Sequence, residues 1–222
     1  MKYLILLFLS ISLVSCSFID TNRIAPGYTE AYKAIKLNIM GYDNEIDPDL
    51  VVNIPYASMI VSIGKGPSAL MILESVNNDT YTWASADDVY LVIKNGKIIK
   101  TQGLPNNLME RLDPSEDWRI EDFQTEYSSY VSFRNPALNN LKVLSAYKIN
   151  AYQDEQLLFG TKSLRLIEED IKSYSVAWFE TNRYWLDKNN FVWKSSQHIS
   201  PRLPPIHFEA VSYTHLTLPT KA

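Results

Sequence analysis

The sequence is poor in cysteine and histidine, and both shortages exclude classes of protein. It has one cysteine and three histidines among 222 residues. A single cysteine cannot form a disulfide within the chain, which excludes a small secreted domain held by disulfides. Structural zinc sites combine several nitrogen and sulfur ligands at short spacings, whereas His198 and His207 are nine positions apart with no cysteine near them. The sequence therefore predicts no metal site and no cofactor.

The chain also lacks an excess of basic residues. It carries 21 lysines and arginines against 25 acidic residues. Between Cys16 and Ala210 the balance is 19 basic to 25 acidic, a net charge of −6, because Lys2 and Lys221 fall outside that range. A nucleic-acid-binding surface needs basic residues to neutralise phosphates, and attraction to anionic lipid needs a polybasic segment. We expect neither a nucleic-acid partner nor an electrostatic membrane contact.

Catalytic signatures are equally scarce. The sequence has no Gly-x-Ser-x-Gly elbow, and Gly64-Lys65-Gly66 lacks the spacing of a phosphate-binding loop. Adjacent carboxylates occur at Asp87-Asp88, Glu116-Asp117 and Glu168-Glu169-Asp170. A glycoside hydrolase needs two carboxylates that face one cleft, whereas neighbours along a strand point to opposite faces. We interpret the three groups as solvated turns and assign no catalytic residue.

The first residues are typical of a secreted lipoprotein. Lys2 supplies a positive charge, and the apolar and small residues that follow form a run shorter than the roughly 20 residues of a membrane-spanning helix. Leu13-Val14-Ser15-Cys16 resembles the lipobox of bacterial lipoproteins, which implies cleavage before Cys16 and a diacylglycerol on its sulfur. Ser17 then implies sorting to the outer membrane in a Gram-negative cell. We predict a cleaved signal peptide, residues 1–15, and a lipid-anchored protein that faces the periplasm.

We divide the remaining chain into a tether, one domain and a short C-terminal segment that does not belong to the natural protein. With 46% hydrophobic and 12% aromatic residues the chain is globular, and its length fits one core. Residues 16–27 are the expected lipidated tether, and residues 28–210 the expected single β-rich domain. The codons implied by Val211–Leu216 resemble a sequencing adapter, so we expect residues 211–222 to be an artefact and assign no role to His215.

Residue spacing predicts a mainly β fold with a helix at its start. Tyr28–Met40 has apolar residues at helical spacing, and Asn106–Leu112 is compatible with a helical turn. Elsewhere apolar and polar residues alternate as in strands, including Tyr174, Val176 and Trp178 on one predicted strand face. Asn95-Gly96 is a strong hairpin signal because both residues accept positive φ. We predict an antiparallel barrel or sandwich.

Two segments resemble each other, Lys94–Thr101 and Lys188–Ser195, and each precedes a Leu-Pro pair. The similarity indicates two related β-rich halves, although two hairpins with the same turn chemistry would give the same pattern.

Aromatic residues provide the candidates for ligand contact. Aromatic faces stack on the apolar faces of sugar rings. Trp118, Tyr127 and Tyr130 lie in a polar, weakly patterned segment, so they are the candidate glycan or partner contacts. The other four tryptophans lie in strand patterns and are predicted core residues: Trp83, Trp178, Trp185 and Trp193.

Several short motifs resemble the YjbF family, the group 4 capsule lipoproteins. They are Pro55–Ser58, Trp83, Asn95–Leu104, Asn182–Trp185 and Trp193–Pro201, and together they span most of the chain. The family pattern has glycine where this chain has Asn190, and asparagine also tolerates the left-handed conformation. The resemblance implies a role in polysaccharide secretion, with an export channel and periplasmic export proteins as partners. It implies no catalytic residue.

These observations favour a non-enzymatic accessory protein for exopolysaccharide or capsule assembly and export. Two alternatives remain open at this point. One is a polysaccharide-modifying enzyme whose carboxylates are brought together only by the fold, and the other is a glycan-binding module without catalysis.

Replacing the predicted lipid-bearing residue tests the anchor. Cys16→Ser removes the sulfur that would carry the diacylglycerol, and a protein without acyl chains has no firm hold on a bilayer. We expect a precursor of larger size on a denaturing gel and loss of metabolic labelling with a fatty acid. A variant with unchanged size, labelling and membrane fractionation would show that Cys16 carries no lipid.

Overall fold

The computed structural model describes residue 51 and residues 54–113 and 126–212. The predicted signal peptide, Cys16, the predicted helix Tyr28–Met40 and Trp118 lie outside the described residues. The described part forms twelve strands and one short 3-10 helix, Tyr174–Val176. The strands are β1 Ser58–Ile63, β2 Ala69–Asn77, β3 Thr80–Ser85, β4 Tyr90–Lys94, β5 Lys97–Gln102, β6 Asn107–Leu112, β7 Tyr127–Arg134, β8 Leu138–Leu157, β9 Gly160–Ser173, β10 Trp178–Leu186, β11 Val192–Gln197 and β12 Ile206–Ser212.

The strands form one antiparallel sheet that nearly closes into a barrel. Its order is β5-β4-β3-β2-β1-β12-β11-β10-β9-β8-β7-β6, so β1 pairs with β12 and the sheet ends at β5 and β6. Side chains bridge these two ends: Leu108 N donates to Thr101 Oγ1 at 2.9 Å, and Thr101 Oγ1 donates to Asn107 Oδ1 at 3.3 Å. The prediction of a mainly β, antiparallel barrel is confirmed. The two suggested halves are joined in a single sheet through β1 and β12.

The asparagine-rich turns adopt the geometry that the sequence predicts. Asn95 and Gly96 both have positive φ, 50° and 80°, as a type I′ hairpin turn requires. Asn190 takes the left-handed conformation with φ 63°, which asparagine tolerates.

Two local predictions are wrong. Asn106–Leu112 does not form a helical turn, because Asn107–Leu112 is β6 and its ladder with β7 satisfies the backbone. Tyr174 and Val176 do not share a strand face with Trp178. They lie in the 3-10 helix between β9 and β10, where the chain reverses and Ala177 has φ 51°. In both cases strand pairing determined the conformation that local spacing left ambiguous.

The antiparallel order fixes which connections lie together. Because each strand runs opposite to its neighbours, alternate connections lie at the same end of the barrel. We call end A the end that holds the turns after β2, β4, β8 and β10, and end B the end that holds the turns after β1, β3, β5, β7, β9 and β11.

The core lies inside the barrel and is built by alternation along each strand. Trp83 and Trp178 belong to it, each 6% exposed, as predicted. Trp185 and Trp193 are half-buried instead. Trp185 lies between the inward-facing Tyr184 and Leu186, so it points to the opposite face. No helix in the described residues is long and apolar enough to cross a membrane.

Candidate functional site

A carboxylate lies at the centre of a buried polar cluster inside the barrel. The Glu169 side chain is 0% exposed, while Asp170 is exposed and Glu168 is only partly covered. All three lie on β9, where successive side chains point to opposite faces. The prediction of a solvated turn at Glu168-Glu169-Asp170 is therefore wrong, because the segment is a strand and its middle residue faces inward.

Two cations compensate the buried carboxylate. Lys97 Nζ lies 2.6 Å from Glu169 Oε1, and both side chains are fully buried. Arg111 Nη2 lies 3.5 Å from the same oxygen, and Arg111 Nε pairs with Asp113 Oδ1 at 2.9 Å. A buried ion pair persists when good geometry and further hydrogen bonds offset the loss of solvation.

Neutral donors complete the coordination of the carboxylate. Three tyrosine hydroxyls, one serine hydroxyl and one amide donate to it. On Oε1 they are Ser145 at 2.8 Å, Tyr147 at 2.8 Å and Tyr127 at 3.2 Å, and on Oε2 they are Tyr184 at 2.6 Å and Asn182 at 3.0 Å. The Tyr127 and Tyr147 rings stack 5.6 Å apart, and Lys97 Nζ lies 5.2 Å from each ring centroid.

The charges of the cluster follow from these contacts. Burial alone would raise the pKa of Glu169, but Lys97, Arg111 and the donated hydrogen bonds outweigh burial and hold that pKa well below its usual range. Burial, together with the neighbouring Arg111, lowers the pKa of Lys97 to about 7, against the opposing effect of Glu169. Burial and the Glu169 charge raise the pKa of Tyr147 and Tyr184. The carboxylate is ionised at neutral pH and the tyrosines donate to it.

The cluster joins six successive strands, from β5 to β10. Lys97 comes from β5 and Arg111 from β6, the two ends of the sheet, and Glu169 from β9 lies between them. The ion pairs therefore connect the two ends where no ladder of backbone hydrogen bonds does. This arrangement favours a structural role in closing the barrel.

The same arrangement is unsuited to acid–base or metal chemistry. A carboxylate offers about four lone-pair sites, and six side chains already donate to Glu169. No group of three or more His, Cys, Asp and Glu residues in the described chain is placed to hold a metal ion. His198 instead pairs with Glu180, Nε2 to Oε2 at 3.4 Å.

The structure separates the candidate contact residues. The Tyr127 hydroxyl points into the buried cluster and donates to Glu169. Tyr130 is 43% exposed and points outward, since it lies between the buried Ser129 and Val131 on β7. These two tyrosines do not form one surface.

The residues that make the cluster have almost no signal in the sequence, and one pattern is the exception. Ile167, Glu169 and Ile171 are spaced by two, and all three are buried, so Glu169 shares a face with apolar residues. Lys97, Arg111, Asn182 and Tyr184 have no such local signal, because only pairing between distant strands brings them to Glu169.

The comparisons with known proteins identify the family. The family model described as group 4 capsule polysaccharide lipoprotein gfcB, YjbF matches residues 31–211. The chain belongs to the YjbF family. The resemblance inferred from the sequence motifs is thereby confirmed, and the family is one of capsule polysaccharide lipoproteins.

Individual relatives agree with this assignment. The lipoprotein YjbF of Escherichia coli K12 is 21% identical over 169 residues, which are 73% of this chain and 78% of that protein. The lipoprotein GfcB of the same strain is 31% identical over 64 residues, 29% of this chain and 30% of that protein. The crystal structure of the hypothetical lipoprotein YmcC from E. coli K12 has a TM-score of 0.69 at 18% identity, covering 83% of this chain and 97% of that one, which shows a shared fold.

A double-mutant cycle on the buried pair tests its role in stability. Glu169→Gln removes the carboxylate that compensates Arg111 and keeps the buried Lys97 protonated, which we expect to lower the free energy of unfolding by about 3–5 kcal/mol. Lys97→Met should lower the free energy of unfolding by a smaller amount, since Arg111 still faces Glu169. The loss in the double variant should be at least about 1 kcal/mol smaller than the sum of the two single losses. Urea denaturation measures each value.

Glu168→Gln on the outer face is the control, with an expected change in unfolding free energy within about 0.5 kcal/mol. Additive costs would show that the pair is not coupled.

The depressed pKa of Glu169 makes this contribution pH-dependent. A carboxyl whose pKa is lower in the folded state stabilises the fold above its unfolded pKa, near 4.5, and loses that contribution as pH falls below it. The gap in unfolding free energy between the wild type and Glu169→Gln should therefore shrink below pH 4.5, by up to about 1.4 kcal/mol per pH unit. Denaturation series at pH 7, 4.5 and 3 measure it, and an unchanged gap at pH 3 would contradict the assignment.

Proposed function

We propose that this protein is an outer-membrane-anchored periplasmic lipoprotein that acts as a non-enzymatic accessory in exopolysaccharide or capsule assembly and export. The observation that carries the proposal is the match of residues 31–211 to a family of capsule polysaccharide lipoproteins. The lipobox-like Leu13–Cys16 supports lipid anchoring, and Ser17 supports the outer membrane. A polysaccharide export channel and periplasmic export proteins are the proposed partners.

The saturation of Glu169 supports a non-enzymatic role over a polysaccharide-modifying enzyme. A glycosidase needs one carboxyl group that protonates the leaving oxygen and another that faces the sugar ring. Glu169 has its lone pairs occupied and no exposed surface. Asp113, joined to it through Arg111, is itself held by that guanidinium. Glu169 therefore offers a sugar no free carboxylate.

One exposed aromatic residue supports contact with a partner or glycan. Tyr130, one of the predicted contact residues, is 43% exposed. Trp118 stays a prediction.

Deletion of the gene tests the proposed process. A strain without the protein should show less surface polysaccharide or an altered chain-length distribution, because assembly or export would be less efficient. Its sugar composition and linkages should be unchanged, because an accessory does not modify the polymer. Quantitative sugar analysis and gel electrophoresis of extracted polysaccharide measure both.

Complementation with the wild-type gene is the control for this deletion. An unchanged amount and length distribution would rule out the accessory role, and changed linkages would favour the enzyme.

A further inference from the structure

A pocket of about 210 Å³ opens at end A, beside the buried cluster and separate from it. Its floor is apolar and comes from strands on both sides of the β1–β12 pairing. Trp83 of β3 and Phe208 of β12 are buried there, with Tyr81 and Phe191 half-buried. The Phe191 ring packs edge to face against the Trp193 ring, with the two centroids 5.1 Å apart.

The rim of the pocket is polar and consists of turn residues. Asp79 comes from the β2–β3 turn, Asn95 from the β4–β5 turn, and Asn189 and Asn190 from the β10–β11 turn. Arg165 Nη2 donates to Asn190 Oδ1 at 2.6 Å, which orients that amide. The two hairpins whose sequences resemble each other therefore meet at this pocket.

Aromatic floor and amide rim together match the chemistry of a sugar ring. A pyranose presents an apolar face of C–H groups, which stacks on aromatic rings. It also presents hydroxyls at its edge, which pair with carboxylate oxygens and with amides that both donate and accept. The volume lies below the roughly 300–1,000 Å³ of pockets for drug-sized ligands, so one ring fits better than a chain of rings.

The charge of the rim selects among sugars. Asp79 is the acidic residue of the rim and is exposed, and the chain between Cys16 and Ala210 has a net charge of −6. A uronic acid would bring a second carboxylate towards Asp79, and like charges at close range repel. An uncharged ring avoids this repulsion and keeps the hydroxyl contacts.

We propose that this end A pocket binds one uncharged pyranose unit of a glycan, through stacking on Phe191 and Tyr81 and hydrogen bonds to Asp79 and Asn95. The inference rests on the proposed function, because it names the substrate class that an accessory of polysaccharide export would hold.

Binding of defined sugars to the full-length lipoprotein in detergent micelles tests the proposal. The probes are the methyl glycosides of glucose, galactose and N-acetylglucosamine, with methyl glucuronoside as the acidic comparison. Saturation-transfer NMR and calorimetric titration measure binding up to about 10 mM, the range for a single ring held by few contacts. We expect saturable binding of at least one neutral glycoside, and weaker binding of the glucuronoside.

Matched variants locate the site. Phe191→Leu removes a stacking ring and Asp79→Ala removes the hydroxyl acceptors of the carboxylate, and each should weaken binding at least fivefold. Phe179→Leu and Asp87→Ala make the same changes at end B, on exposed residues, and should leave binding within twofold. Circular dichroism confirms folding, and Asp79→Ala keeps the test valid if Phe191→Leu is destabilised. No saturable binding by any neutral glycoside, or equal weakening by the end B variants, would overturn the proposal.

The two proposals fail separately. A deletion strain with altered polysaccharide together with a pocket that binds no sugar would refute the pocket and leave the accessory role. Sugar binding at the pocket together with unchanged polysaccharide in the deletion strain would refute the accessory role and leave the pocket.

Discussion

The buried carboxylate of Glu169 is the constraint on which the rest of this barrel depends. A twelve-stranded antiparallel sheet must meet its own ends to protect its edges, and here β5 and β6 meet without a ladder. Glu169 draws Lys97 from one of these strands and Arg111 from the other into one buried cluster. An ionised group can stay in such an interior only because its partners are complete. The strands that supply the partners are therefore held in fixed register.

The same interaction lies next to the proposed sugar pocket at end A. Lys97 faces the buried cluster, while the two residues before it, Asn95 and Gly96, line the pocket. A charge buried and saturated by hydrogen bonds is unsuited to exchange partners with a ligand. These two turn residues are half-buried and connect β4 to β5, and binding residues often lie on such loops of a stable scaffold.

Membership of the YjbF family gives this scaffold its biological setting. The fold shared with YmcC persists at 18% identity, which shows that this fold tolerates extensive change in side chains. The proposed accessory role needs a stable body with a small recognition surface, which the barrel and the proposed sugar pocket at end A would supply.

Local chemistry in the sequence determined much of the fold and little of the site. Alternation predicted most strands, Asn95-Gly96 predicted its hairpin, and short motifs indicated the family, because each depends on neighbouring residues. Only the tertiary structure decided that Asn107–Leu112 is a strand and that Glu169 lies inside while Glu168 and Asp170 do not. A change of one residue reverses the face of a strand, and the partners that make burial of a charge tolerable lie up to 72 positions away, at Lys97. Long-range pairing of strands, which no local pattern encodes, placed them together.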